Sequence, residues 1–262
     1  MLVGTWNVNS VVARLPRLVS WLRETAPDVL CLQETKCAGD SFPSAEIKAL
    51  GYEVAAYGDG RWNGVAILSR VGMSNVIEGL PGDPGYPTSD VREARAVAAT
   101  CGPLRIWSVY VPNGREPGHD HYVYKLEWLA ALRSAVAVEV AAESSLFAVV
   151  GDFNIAPTDD DVWDPAAFVT STHVTPPERA ALAALRETGL HDVVPRALKH
   201  DTPFTYWDYR AGMFHKNMGM RIDLVYGNRA FVDAVEDAYV DRNARKGTGP
   251  SDHAPVVVQV SM

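Results

Sequence analysis

A chain of 262 residues, 47% of them hydrophobic, is long enough to bury a large core, and no Ser- or Gly-rich linker divides it. We therefore expect a single domain that spans residues 1–262. The formal net charge of −8, from 24 basic and 32 acidic side chains, argues against broad nonspecific attraction to nucleic acid and leaves room for a local basic face.

The cysteines and the N-terminal segment indicate the cellular compartment in which we expect the protein. Cys31, Cys37 and Cys101 cannot all pair and have no Cys-x-x-Cys spacing, which favours a reducing cytoplasm over secretion. The sequence begins with a strand-like segment rather than a secretory signal, and no apolar run approaches membrane-spanning length. Without a sustained heptad pattern, we expect a cytoplasmic monomer that does not contact membranes.

Strands and helices alternate along the first part of the sequence. Residues 2–8 predict a strand whose end presents Asn7 and Asn9 on one face. The next predicted elements are a helix with apolar positions Leu15, Leu18, Val19 and Leu22 that stops near Pro27, a strand at 29–33 followed by Glu34, strands at 54–57 and 65–69, a surface loop at 79–89, and a hairpin of 94–100 and 104–111 around Gly102 and Pro103.

The second part continues this alternation. Its predicted elements are a long helix with apolar positions Leu129, Leu132, Val136 and Val140, a buried strand at 147–150, a helix at 176–188 with Gly189 as its stop, an aromatic segment of high β propensity at 204–210, a strand at 220–226 and a last strand at 256–260. The mixture predicts an α/β fold without internal repeats.

The buried strand at 147–150 leads through Gly151 into Asp152 and Asn154. A carboxylate at the end of a buried strand is fixed in position and partly desolvated, which suits a group that polarises a water molecule. The alternative is that Asp152 and Asn154 cap a turn, because both residue types satisfy backbone groups there.

Other predicted strands also end in polar side chains, and together they form an acidic and amide-rich set: Asn7, Asn9, Glu34, Tyr110, Asn113, Asp152, Asn154, Asp223, Asp252 and His253. Carboxylate and amide oxygens suit Mg²⁺, whereas a single histidine argues against a zinc site. Phosphate ester hydrolysis needs an activated water, a metal and donors for the phosphate oxygens, all of which this set can supply.

Seven short motifs carry a resemblance to a known family. In chain order they are WNVNS at 6–10, LQETK at 32–36, YVPNG at 110–114, GDFNIAP at 151–157, WDYR at 207–210, RID at 221–223 and PSDHAP at 250–255. This succession, which runs from residue 5 to residue 258, resembles the exonuclease III family of apurinic/apyrimidinic endonucleases.

The resemblance implies a four-layer α/β sandwich, with two mostly antiparallel sheets face to face and helices outside. It implies Glu34 as a metal ligand, with Asp252 and Asn9 in or near the coordination shell of Mg²⁺ or, as a substitute, Mn²⁺. Whether one or two metal ions bind, and whether Asn9 is a direct ligand, stays open.

The catalytic set that the resemblance implies centres on Asp152, which activates the water or protonates the leaving oxygen and is oriented by Asn154. His253, paired with Asp223, contacts the scissile phosphate. Asn7, Tyr110 and Asn113 hold phosphate oxygens or keep the carboxylates in register. Sequence leaves open whether Asp152 or His253 takes the proton of the water.

The resemblance also implies an apolar pocket for a flipped, base-free deoxyribose, formed by Tyr206, Met220 and Ile222. Basic residues in the last third of the chain are candidates for phosphate contacts, namely Arg210, Lys216, Arg221, Arg242, Arg245 and Lys246. Each single residue also has an ordinary structural explanation, such as core packing or solvated charge, and the joint pattern is what favours function.

The expected function is a Mg²⁺-dependent DNA repair nuclease that cleaves the phosphodiester 5′ of abasic sites. Its expected further activities are a 3′→5′ exonuclease and a 3′-phosphatase or phosphodiesterase on double-stranded DNA with blocked 3′ ends. The alternatives are an enzyme that is chiefly an exonuclease, a phosphoinositide or lipid phosphodiesterase of the same fold, and a DNA-binding relative without catalysis.

Overall fold

A computed structural model describes residues 1–86, 91–142 and 145–262. Within these ranges the strands are β1 (Leu2–Asn7), β2 (Val29–Gln33), β3 (Glu53–Tyr57), β4 (Val65–Ser69), β5 (Ser74–Glu78), β6 (Ala96–Cys101), β7 (Leu104–Tyr110), β8 (Leu146–Asp152), β9 (His191–Asp192), β10 (Arg196–Ala197), β11 (Asp223–Gly227), β12 (Val235–Val240) and β13 (Val256–Val260). The α-helices are α1 (Val11–Thr25), α2 (Ser44–Lys48), α3 (Asp120–Ala142), α4 (Pro176–Arg186), α5 (Met213–Lys216) and α6 (Arg229–Asp233).

The strands form two mixed sheets. The seven-stranded sheet has the order β10-β12-β13-β1-β2-β4-β3, and the six-stranded sheet has the order β5-β6-β7-β8-β11-β9. Parallel pairs join β1 to β2, β7 to β8 and β10 to β12, and the other pairs are antiparallel. Alternate strand residues, such as Val29 and Ile67 of one sheet and Ile106 and Val150 of the other, share one core, so the sheets pack face to face.

Helices cover the outer face of each sheet. Leu18 of α1 packs with Leu32 on the outside of the seven-stranded sheet. Trp128 of α3 and Leu182 of α4 pack with Trp107 on the outside of the six-stranded sheet. These contacts give the order helix, sheet, sheet, helix, and the predicted four-layer α/β sandwich is confirmed.

Strand register brings the polar strand ends to one edge of the sandwich. The parallel pair β1 and β2 places Asn7 opposite Gln33, directly before Glu34. The parallel pair β7 and β8 places Tyr110 opposite Asp152, and the antiparallel neighbour β11 places Asp223 opposite the same Asp152. Because parallel strands end at the same edge, the sequence-adjacent polar residues meet there.

Several element boundaries differ from the sequence-based expectation. The strand expected at 220–226 begins at Asp223, and the edge strand β5 was missed because all five of its residues are exposed. Strand β12 was missed because Glu236 and Asp237 interrupt its apolar pattern. Of the loop expected at 79–89, residues 87–89 lie outside the described ranges. Over the described residues, every helix is too short or too polar to cross a bilayer.

The close approach of β7 and β8 generates a prediction about Gly151, whose φ is 146°. A Cβ atom added there would lie 1.9 Å from the backbone oxygen of Val109, so the two parallel strands must separate to accept it. Gly151→Ala is expected to lower the free energy of unfolding by about 3 kcal/mol or more, measured by urea titration.

Gly39→Ala is the matched control, since its added Cβ meets the oxygen of Ala56 at 3.5 Å, an ordinary contact distance. Equal urea midpoints for the two variants would mean that the close approach at Gly151 does not constrain the fold.

Candidate active site

The side-chain amide of Asn7 joins the two sheets at the edge where the polar strand ends meet. Its Nδ2 donates to Oε1 of Glu34 at 2.9 Å and to Oδ2 of Asp152 at 2.9 Å. Its Oδ1 accepts a hydrogen bond from the backbone nitrogen of Asn9 at 3.0 Å. Because Asn7 is fully buried, this amide fixes the separation of the two carboxylates.

A second group of amides lies on the other side of Asp152. The backbone nitrogen of Asn154 donates to Oδ1 of Asp152 at 2.9 Å, so both oxygens of this carboxylate accept a hydrogen bond. Nδ2 of Asn154 donates to the backbone oxygen of Val111 at 3.0 Å, and Nδ2 of Asn113 donates to Oδ1 of Asn154 at 3.2 Å. The predicted partners Asn113, Asp152 and Asn154 therefore lie in one connected network.

His253 and Asp223 form a buried pair. Nδ1 of the imidazole lies 2.7 Å from Oδ2 of Asp223, while Nε2 lies 3.8 Å from Oδ2 of Asp152. The Tyr206 ring lies 4.9 Å from the imidazole, centroid to centroid, and Trp6 donates to the backbone oxygen of His253. The carboxylate behind the ring orients Nε2 toward Asp152.

Asp152, His253 and Glu34 are all buried or nearly so, but their pKa values change in different directions because their charged neighbours differ. Burial raises the pKa of Asp152 to about 7, assisted by the nearby Asp223 and Glu34 and opposed by His253. Burial alone would lower the pKa of His253, but its pairing with Asp223 prevails and raises the pKa to about 10. The pKa of Glu34 is lowered, because Lys36 and the Asn7 hydrogen bond outweigh burial. Near neutral pH, Asp152 can therefore gain or lose a proton while His253 is cationic.

Donor atoms of Glu34, Asp152 and His253 lie within 4.8 Å of one another. Two carboxylates so close together fit a divalent cation, which would offset their mutual repulsion. Of the other predicted ligands, Asp252 accepts a hydrogen bond from Nδ2 of Asn9 at 3.0 Å. Oδ1 of Asn9 accepts from Nζ of Lys36 at 2.6 Å, so both ends of the Asn9 amide have protein partners.

A cleft of about 550 Å³ opens above these groups. The predicted site residues that line it are Glu34, Tyr110, Asn113, Asp152, Asn154, Tyr206, Met220, Ile222, Asp252 and His253. Met220 and Ile222 pack with Ala156, Val162 and the partly buried Tyr206 in a small apolar cluster, which forms one wall of the cleft. Tyr110 is buried, and the guanidinium of Arg95 lies 4.8 Å from its ring centroid.

Arg221 does not lie at the cleft, contrary to the expectation from sequence. Its side chain is buried and pairs with Asp161 at 2.6 Å and with Asp192 at 3.0 Å. Arg242 and Arg245 are buried as well and donate to backbone carbonyls. Arg221 is thus held by two carboxylates within the protein, and Arg242 and Arg245 stabilise the segments that carry Phe214 and Trp207.

Among the residues at or beside the cleft that were missed from sequence are Lys36, which contacts Glu34, and His173, which lines the cleft. Lys36 pairs with Glu34 at 2.8 Å, and its place two residues after Glu34 in the LQETK motif was an available signal. His173 lines the cleft with a φ of 85°, and its Nδ1 is hydrogen-bonded to the backbone oxygen of Asn154. Nothing in the sequence pattern around His173 indicates this position.

The comparisons with known proteins agree with this geometry. An exodeoxyribonuclease of Bacillus subtilis (strain 168) is 28% identical over 98% of this chain and 98% of its own length. The structure of a Neisseria 3′ phosphatase, NExo, bound to product DNA hairpin has a TM-score of 0.93 and 36% identity over the full length of both chains. An AP endonuclease of Archaeoglobus fulgidus has a TM-score of 0.91 and 30% identity, again over both full lengths.

The profile of the Endonuclease/Exonuclease/phosphatase family matches residues 4–253, nearly the whole chain. Together with the exodeoxyribonuclease relative, this match confirms the family that the seven motifs predicted. The chain belongs to the Endonuclease/Exonuclease/phosphatase family, and within it to the exonuclease III group.

Proposed function

We propose that this protein is a DNA repair nuclease with 3′→5′ exonuclease and 3′-phosphatase activity on double-stranded DNA, and that it also cleaves 5′ of abasic sites. The observation that carries the proposal is the cleft in which Asp152 lies 3.8 Å from the imidazole of His253 and shares the Asn7 amide with Glu34. Residues 1–262 would form a single catalytic domain that acts as a monomer in the cytoplasm.

The proposed cofactor is Mg²⁺, with Mn²⁺ as a substitute, held by Glu34 with Asp252 beside it. When bound, the metal neutralises negative charge that develops on the phosphate oxygens. Asn9 would orient Asp252 rather than bind the metal, because its own oxygen already accepts a hydrogen bond from Lys36. Lys36 and Asn7 keep Glu34 ionised and in place.

Asp152 is the proposed proton acceptor for the attacking water. With a pKa of about 7, a substantial fraction is ionised at neutral pH, and the protonated form can return the proton to the leaving oxygen. His253 is protonated under the same conditions and cannot take that proton. Its Nε2–H instead donates toward a phosphate oxygen, and Asn113, Asn154 and Tyr110 supply further polar contacts around the phosphate. Asn7, whose amide hydrogens already bind Glu34 and Asp152, keeps these two carboxylates in register.

Incision at abasic sites is the second candidate activity. The apolar wall of Tyr206, Met220 and Ile222 supports it, because a sugar without a base presents an apolar surface that such a wall can cover. The AP endonuclease of Archaeoglobus fulgidus among the solved relatives supports it as well.

The first prediction from the proposed function concerns Asp152. With Mg²⁺, the protein is expected to remove a 3′-phosphate from a labelled duplex, to digest the duplex from its 3′ end and to incise one that carries an abasic-site analogue. EDTA should abolish all three activities. Asp152→Asn is expected to slow each rate by about 10²- to 10⁴-fold, the usual contribution of a general base.

Asp160→Asn, which changes an exposed carboxylate outside the cleft, is the matched control and should retain activity. A fully active Asp152→Asn variant would refute the assigned role. If the wild-type protein cleaves neither duplex but hydrolyses an inositol phosphate, the lipid-phosphate alternative replaces the proposal. DNA binding without any turnover would support the non-catalytic alternative.

The second prediction concerns the pair of His253 and Asp223. In the metal-free protein, the imidazole of His253 is expected to titrate with a pKa of about 10 by NMR, and Asp223→Asn should lower that pKa, since burial is then opposed only by Asp152 and Asp252. Because the pKa is raised on folding, the pair stabilises the fold fully below about pH 6.5, and this contribution is lost as pH rises toward 10.

Asp233→Asn on the surface of α6 is the control for this titration. An imidazole pKa that is the same in the Asp223→Asn variant and in the wild type would contradict the pairing.

The third prediction concerns the apolar wall. Met220→Ala is expected to lower the rate of incision at an abasic-site analogue about 10-fold relative to 3′-phosphate removal, because the wall contacts the base-free sugar only in incision. The ratio of the two rates, measured with one enzyme preparation, is the test. A proportional loss of both activities would count against an abasic-site pocket.

A further inference from the structure

Lys125 of α3 is fully buried beside the active-site loops, and the catalytic proposal does not use it. Its Nζ lies 3.2 Å from the backbone oxygen of Asn113 and 2.8 Å from the backbone oxygen of Asn154. It also contacts Oγ1 of Thr172 at 3.3 Å and forms an ion pair with Glu178 of α4. One ammonium group therefore joins two helices and three loops.

Two of these contacts reach the cleft. Asn113 and Asn154 line it, and their side chains are hydrogen-bonded to each other. The backbone nitrogen of Asn154 holds Asp152, and Asn154 has a φ of 52°, a conformation that non-glycine residues adopt only when the surroundings enforce it. The hydrogen bond from Lys125 to the Asn154 carbonyl helps to hold Asn154 in this conformation.

Glu178 continues the same set of hydrogen bonds into the loop before α4. Its Oε1 accepts hydrogen bonds from the hydroxyl of Thr172 and from the backbone nitrogen of His173. Its Oε2 accepts a hydrogen bond from the backbone nitrogen of Thr175, the N-cap residue of α4. Thr172 and His173 line the cleft as well. The ion pair thus fixes the backbone on two sides of the cleft without itself lining it.

A buried ion pair can often be replaced by well-packed apolar side chains without loss of stability, so stability alone does not explain this one. We propose that Lys125 is a positioning residue, which holds the amides of Asn113 and Asn154 through their backbone carbonyls in the geometry that the phosphate and Asp152 require. The phosphate part of this inference rests on the proposed function.

The test compares Lys125→Met/Glu178→Gln with Leu132→Ala. The double variant removes both charges, so that neither is left unpaired. Leu132 is a buried core residue about two turns along the same helix, and its truncation is expected to destabilise the fold while leaving the hydrogen bonds of Lys125 in place. On a 3′-phosphate duplex, kcat of the double variant is expected to fall about 10- to 100-fold with KM nearly unchanged, because small displacements of catalytic groups cost rate.

Leu132→Ala should keep its kcat at a temperature where it is folded. A second readout is the energetic coupling between Lys125 and the two asparagines. When Lys125→Met/Glu178→Gln is added to Asn113→Ala/Asn154→Ala, kcat should fall by less than about 3-fold further, since Lys125 acts through those two residues. Equal kcat losses in the double variant and in Leu132→Ala, or effects that multiply, would overturn the proposal.

Two further measurements keep the inference testable. If Lys125→Met/Glu178→Gln does not fold, Lys125→Arg is the fallback variant, because it keeps the cation. Space near Gly114 is short, since a Cβ atom added to Gly114 would lie 3.0 Å from Cδ of Lys125. The larger guanidinium must therefore shift the backbone there. This variant should lose kcat when measured at a temperature where it is folded, and an unchanged kcat would contradict the proposal.

The side-chain amide NMR signals of Asn113 and Asn154 provide a readout that needs no substrate. They should shift in the double variant and not in Leu132→Ala. Shifted signals in a protein that does not cleave DNA would leave the positioning role intact and reject only the proposed function. Unshifted signals would reject the positioning role itself.

Discussion

The site depends on one buried amide group. Asn7 donates both hydrogens of its Nδ2 to carboxylates, one on each sheet, at equal distances of 2.9 Å. Two carboxylates brought this close in a buried environment repel each other and lose their hydration. The Asn7 amide offsets part of that cost, and it also couples the relative position of the two sheets to the separation of Glu34 and Asp152. The sandwich and the site are therefore specified together.

Around that amide, the same burial gives each ionisable group a different protonation behaviour. Burial raises the pKa of Asp152, and Asp223 and Glu34 add to the effect, whereas Glu34 has a lowered pKa because Lys36 and the Asn7 hydrogen bond outweigh burial. His253 keeps its proton because Asp223 lies behind the ring. A carboxyl group that titrates near neutral pH, an ionised carboxylate and a cationic imidazole thus lie with their polar atoms within 4.8 Å of one another. Environment rather than residue type divides the roles.

Much of the fold and site could be predicted from the sequence, because both follow from apolar and polar residue patterns within single strands and helices. Each buried strand that ends in a carboxylate or amide signals a position at the sheet edge, and Asn7, Glu34 and Asp152 were found in this way. Strand β5 could not be found, because an exposed edge strand has no apolar alternation. Arg221 was misassigned because its partners, Asp161 and Asp192, are distant in sequence. Lys125 was missed for the same reason, since its partners Asn154, Thr172 and Glu178 lie 29 to 53 residues away in sequence.

The first and last strands are neighbours in the seven-stranded sheet, with Leu2 opposite Gln259 and Thr5 opposite Val256. The strand that carries Asn7 therefore gains one of its two neighbours only after residues 256–260 have been synthesised. His253 and Asp223 also come late, so a ribosome-bound chain that ends before them has neither half of the imidazole–carboxylate pair. In this fold the active site can therefore assemble only after the strand at 256–260 has been made, and a translation product that stops before Asp223 lacks both this pair and one neighbour of the strand that carries Asn7.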